Sequence, residues 1–147
     1  MLARFLHSER RIGVRIIVDS YAWIEIFAGT AKGEGATKVM DDADELYTPD
    51  VVLAEIARKY GREGFERTVI EKRLDRIAEV SQVISIDKEV ALASASAFFD
   101  LREGAKKKGL NEPGLFDAII LGTTRALSAK VLTGDPHFKD LGETLWL

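Results

Sequence analysis

The chain has 147 residues, 46 % of them hydrophobic and 31 % charged, with a net charge of −3. This suits one domain with a real core and gives no global attraction to nucleic acid. With no cysteine and only His7 and His137, disulfides, thiolate sites and a histidine zinc cage are excluded. Any metal must be held by oxygen, which suits Mg²⁺ or Mn²⁺.

No apolar run approaches the roughly 18–20 residues of a membrane span. The first fifteen residues carry Arg4, Arg10, Arg11 and Arg15 without a continuous apolar core. They do not read as a secretory signal, so the expected location is the cytoplasm. Residues 1–13 are expected to form an N-terminal extension of uncertain order, with one folded domain over residues 14–147.

The first strand is read at Ile16–Val18, a β-branched run that stops at Asp19 and Ser20. A helix over Ser20–Phe27 follows, closed by Gly29, then an amphipathic helix over Glu34–Ala43 and a short strand at Glu45–Tyr47. Thr48-Pro49-Asp50 reads as a helix start, with Thr48 as the capping hydroxyl and Pro49 in the first helical position. That helix runs to Gly61, and another spans Phe65–Val80. A strand at Val83–Ile86 leads to Asp87, which caps a long helix ending in Lys106-Lys107-Lys108 before Gly109. Asn111–Gly114 opens a helix that reaches Ala126. Strands follow at Lys130–Leu132, halting at Thr133-Gly134-Asp135-Pro136, and at Glu143–Trp146. The alternation predicts an α/β fold with a mainly parallel central sheet of four to five strands flanked by helices.

Four acids stand out. Asp19 and Asp135 each follow an apolar strand. In open parallel sheets ligands bind at the carboxyl ends of the strands, although a helix cap or turn acid explains either residue alone. Glu55 and Asp117 border the apolar faces of their helices. A carboxylate there loses hydration, at a cost of several kcal/mol or so unless a cation or hydrogen bonds replace it. Singly, each can lean into solvent or pair with a base. Gathered together, the four repel one another and call for a cation. An oxygen-bound divalent ion can activate water and stabilise charge on a phosphodiester, which is metal-assisted hydrolysis.

The segments Ile17-Val18-Asp19-Ser20, Pro49–Glu55, Phe116–Ile120 and Leu132–Phe138 resemble those of PIN domains, most closely the small VapC-type toxins of toxin–antitoxin pairs. The resemblance covers nearly the whole chain from Val14. It implies a Mg²⁺- or Mn²⁺-dependent endoribonuclease with Asp19, Glu55, Asp117 and Asp135 as the acidic constellation. Asp19 and Asp117 would be direct ligands, with Glu55 and Asp135 holding metal-bound waters or a second ion. Ser20 and Thr133 would be supporting hydroxyls. It further implies an RNA substrate, a cognate small antitoxin and a homodimer. Relatives that process RNA without being toxins leave a second reading open.

Candidate phosphate contacts are Arg58 and Lys59, within about one turn of Glu55, then Arg62, Arg10, Arg11, Arg15 and Lys106–Lys108; a solvated surface is the plainer reading of each cluster. Trp23 and Phe27 share a helix face and suit core packing or a surface for an antitoxin or a second subunit. His137 follows Asp135 by two residues and is read as a solvated turn residue that could approach the site. A receiver-like phosphotransfer domain fits poorly, since two of the acids fall on helices and no lysine follows the last strand. A non-catalytic binding module on the same fold is the remaining alternative.

Overall fold

The computed structural model describes residues 13–147. The expected extension, with Arg10 and Arg11, lies outside the described residues except for Gly13. The elements are β1 (Arg15–Val18), α1 (Ser20–Ala28), α2 (Ala31–Asp41), β2 (Glu45–Pro49), α3 (Asp50–Arg62), α4 (Arg67–Val80), β3 (Gln82–Ile84), α5 (Lys88–Lys108), α6 (Leu115–Ala126), β4 (Lys130–Thr133) and β5 (Thr144–Trp146), with a 3-10 turn at Pro136–Phe138.

The five strands form one sheet in the order β3-β2-β1-β4-β5, and every neighbouring pair is parallel. The α/β expectation holds, with the sheet wholly rather than mainly parallel. β1 is central because it is buried on both faces: Ile16, Ile17 and Val18 are at most 1 % exposed. Strand order reverses at β1, so the carboxyl ends of β1 and β4 make the crevice in which a ligand is expected.

Close helix packing sets the walls of that crevice. A Cβ on Gly33 would meet the Glu25 carbonyl oxygen at 2.2 Å, and one on Gly122 would meet Ser94 Oγ at 2.4 Å. The first contact lets α2 press on α1. The second locks α6, which carries Asp117, against α5.

Several boundaries differ from expectation for identifiable reasons. Thr48 does not cap α3. Its Oγ1 accepts from Trp23 Nε1 at 3.1 Å and meets Ser81 Oγ at 2.7 Å, so β2 continues through Pro49, which becomes the N-cap without a side-chain bond. The second helix starts at Ala31 rather than Glu34 because Thr30 Oγ1 accepts from Gly33 N at 3.1 Å. Phe65 stays outside α4 and stacks on Tyr60 with ring centroids 4.7 Å apart. Trp23 is core, 2 % exposed, with Phe27 stacked 5.9 Å from it. Among the described residues no helix is long and apolar enough to cross a membrane.

Candidate active site

The four acids meet at the carboxyl edge of the sheet. Asp19, Glu55, Asp117 and Asp135 line one cleft of about 380 Å³, together with Ser20, Tyr21, Ile24, Glu25, Lys59 and Pro136. Each arrives by a separate local device.

Asp19 directly follows β1 and is the N-cap of α1: its Oδ1 accepts from Ser20 N at 2.7 Å. Its Oδ2 accepts from Thr133 Oγ1 at 2.8 Å. The same Thr133 oxygen accepts from Asp135 N at 3.0 Å. One buried hydroxyl therefore joins the ends of β1 and β4. Ser20 Oγ reaches Asp19 Oδ1 at 3.4 Å, a long contact beside that of its backbone. Asp117 lies in the first turn of α6, where its Oδ2 accepts from Gly114 N at 3.2 Å. Asp135 Oδ1 accepts from His137 N at 2.9 Å and faces His137 Nδ1 at 3.1 Å. Gly134 lets this turn sit tight, since a Cβ there would meet the Tyr21 ring at 2.4 Å.

The electrostatics are those of crowded acids. Burial, then the charges of Asp135 and Asp117, raise Asp19 from 3.8 to about 6 against the bonds from Thr133 and Ser20. Burial raises Glu55 from 4.5 to about 8, with Asp19, Asp117 and Asp135 adding to the rise and Arg58 opposing it. Burial and Asp135 likewise raise Asp117. For His137, burial disfavours the charge, but the Asn111 carbonyl and Asp135 outweigh it and raise the pKa.

The donor set fits a hard divalent cation. Glu55 Oε1 is buried without a hydrogen-bond partner among the described residues, a condition it shares with Asp50 Oδ1. An ion is the natural partner for such an oxygen in a group of like charges. One ligand atom from each of Asp117, Asp135 and His137 lies within 4.8 Å of the others, and both His137 ring nitrogens are already engaged, by Asp135 Oδ1 and the Asn111 carbonyl. Asp19 and Glu55 line the same cleft outside that tight grouping.

The remaining candidates fall less uniformly. Lys59 lines the cleft but is paired with Glu63 at 2.7 Å. Arg58 and Arg62 are exposed. Arg15 sits at the start of β1 and donates to the Leu127 carbonyl at 3.0 Å, away from the cleft-forming end of the strand. His137 is not merely solvated, because its Nε2 lies 2.8 Å from the Asn111 carbonyl oxygen. Lys108, expected as a solvated helix end, reaches the turn beyond Asp135. Sequence reading missed Tyr21 as a cleft wall; the signal was Gly134, a residue without a side chain one position before a site acid.

No curated protein matches the sequence. Solved structures do match its fold. VapBC2 from Rickettsia felis, bound to a promoter DNA fragment, is 16 % identical over 91 % of this chain and 98 % of that one, with TM-score 0.64. A toxin–antitoxin complex from Klebsiella pneumoniae is 20 % identical over 88 % and 95 %, with TM-score 0.63. Mycobacterium tuberculosis VapC20, described as a sarcin–ricin loop cleaving toxin, is 20 % identical over 87 % and 95 %, with TM-score 0.64. The family model for the PIN domain matches residues 16–144, from inside β1 to the first residue of β5, and the chain belongs to that family.

Proposed function

We propose that this protein is a divalent-metal-dependent endoribonuclease and the toxin of a cytoplasmic toxin–antitoxin pair. The observation that carries the reading is the buried Glu55 Oε1, without a partner among the described residues, in a cleft it shares with Asp19, Asp117 and Asp135. Asp19, Asp117 and Asp135 would hold Mg²⁺ or Mn²⁺, with Glu55 completing the acidic set. A bound ion of this kind lowers the pKa of water and offsets charge on phosphodiester oxygens.

The chain's own part is orientation and charge. Thr133 fixes Asp19 and the Asp135 backbone, and the Gly114 amide fixes Asp117. Burial, with the neighbouring acids, leaves Glu55 able to hold a proton near neutrality. Arg58 and Lys59 would meet RNA phosphates beside the cleft. An apolar groove lined by Ile26, Phe27, Met40, Leu46 and Val80 offers a surface for the antitoxin, and a homodimer completes the proposed assembly. The complexes among the structural neighbours support the antitoxin partner.

The test is incubation of purified protein with total cellular RNA in Mn²⁺, in Mg²⁺ and in chelator, with Asp117→Asn alongside and sequencing of the new ends. Metal-dependent cuts at a few sites, lost in the variant, are expected. Cuts that persist in chelator or in the variant would sink the proposal.

A further inference from the structure

Two polar ties fasten the turn that carries Asp135, one to the end of α5 and one to the loop that opens α6, and neither comes from an acid. Lys108, the last residue of α5, donates from Nζ to the Pro136 carbonyl at 3.1 Å and to the Lys139 carbonyl. The first carbonyl belongs to the opening residue of the 3-10 turn that follows Asp135, and the second lies just past its end. His137 supplies the second tie. Its Nδ1 lies 3.1 Å from Asp135 Oδ1, and its Nε2 lies 2.8 Å from the carbonyl oxygen of Asn111, in the loop between α5 and α6. Three residues on, Gly114 N donates to Asp117 Oδ2 at 3.2 Å. A continuous path therefore runs from one carboxylate through the imidazole and a short loop to the other. Lys108 anchors the far side of the same turn to the helix from which that loop departs.

Helix termini alone do not account for Lys108. Lys106 and Lys107 share its helix end and favour the same dipole. Lys106 faces Glu103 at 3.5 Å, whereas Lys108 spends its donors on two carbonyls of another element. Its exposure is no objection, because the ammonium sits on the acceptors and the turn itself is at the surface.

We propose that Lys108 and His137 are positioning residues that set the spacing of Asp117 and Asp135 by fastening the acid-bearing turn 134–139 to the end of α5 and to the loop that opens α6. The inference rests on the reading of the cleft as a divalent-cation site. Groups that hydrogen-bond a metal-binding carboxylate or hold its segment typically change affinity by roughly 10- to 100-fold when removed.

The test is calorimetric Mn²⁺ titration of the full chain, with circular dichroism melts and amide hydrogen exchange on the same samples. His137→Phe keeps a ring but loses both nitrogens, and Mn²⁺ binding should weaken by roughly tenfold or more. Lys108→Met should weaken it less and speed exchange at the Phe138 and Lys139 amides. Lys108→Arg should recover most of the affinity. Lys107→Met removes a charge from the same helix end and should bind like the parent; equal weakening there would assign the effect to helix-end charge and overturn the role of Lys108. Lys108→Gln replaces Lys108→Met if the latter melts below the assay temperature. Parent-like Mn²⁺ binding in both folded His137→Phe and folded Lys108→Met overturns the inference and leaves the cation site standing. A parent protein that binds no Mn²⁺ overturns the cation reading and the inference with it.

Discussion

Two clusters of polar side chains among the described residues are built on opposite terms. In the first, Trp23 Nε1 donates to Thr48 Oγ1, Thr48 meets Ser81 Oγ, and Ser81 donates to the Ile77 carbonyl at 2.8 Å. That chain ends on a backbone carbonyl and leaves each of its polar side chains with a partner in a dry interior. In the second, burial and neighbouring carboxylates raise the pKa values of Asp19, Glu55 and Asp117, and a buried Glu55 oxygen has no partner among the described residues. A protein that can satisfy Thr48 so completely could have satisfied Glu55 or replaced it. Polar groups left short of partners are expected at functional sites.

The comparison breaks most directly at Glu55. If the carboxylate exists for a cation and not for stability, Glu55→Gln should cut RNA cleavage by about a hundredfold or more while the metal-free protein stays folded. Sequenced cleavage products and a melt of the same sample decide it. A variant that cleaves normally would move Glu55 into the structural class.

The pH dependence sharpens the same contrast. Glu55 sits at about 8 in the folded chain against an ordinary 4.5. Between these values the unfolded chain has released the proton and the folded chain retains it. The folded state binds more protons, so the metal-free protein should lose stability as pH rises through that window. Asp19 acts in the same direction between 3.8 and about 6. Melts from pH 5 to 8 should show the midpoint falling in chelator, a fall that Glu55→Gln flattens and Mn²⁺ reverses. The Thr48 cluster contains no titrating carboxylate and should contribute nothing to the slope.

Thr48→Val is the converse test. It strips the acceptor from Trp23 Nε1 in a site that is 0 % exposed at Thr48 and 2 % at Trp23. Leaving a buried donor unpaired costs about 1–3 kcal/mol. The midpoint should fall at every pH, and cleavage measured well below it should hold.

The contrast was only half legible in the sequence. Asp19 and Asp135 could be placed because an apolar β-branched run ending in an acid encodes both the strand and its carboxyl end. Glu55 and Asp117 could be placed because each interrupts an apolar helical stripe. The structure brings all four to one cleft. What distinguishes Thr48 from a helix cap is a long-range matter: its partners, Trp23 and Ser81, come from a helix 25 positions away and a turn 33 positions away. Local pattern favoured the cap, and tertiary bonding overrode it. Lys108 was hidden for the same reason, since its acceptors lie 28 and 31 residues downstream. The aromatic setting of Arg73, whose guanidinium lies 4.7 Å from the Tyr60 ring centroid, 4.9 Å from that of Phe65 and 5.4 Å from that of Phe27, likewise depends on three elements meeting.

The smallest expected effect concerns Arg58, the base whose charge acts on Glu55. Arg58 lowers the pKa of Glu55 against the push of burial and three acids, and it is exposed on the next turn of α3. A side chain so placed can serve the acids, the RNA or both. A phosphate contact predicts that Arg58→Ala weakens RNA binding almost uniformly across sequences and reduces the salt slope of binding by about one. A purely internal role predicts no change in salt slope and a further upward shift of Glu55, visible as a steeper loss of stability with pH in chelator. Binding to Asp117→Asn protein, measured across a salt series without cleavage, separates the two. The melts then show whether the crowded acids rely on Arg58 at all before a metal arrives.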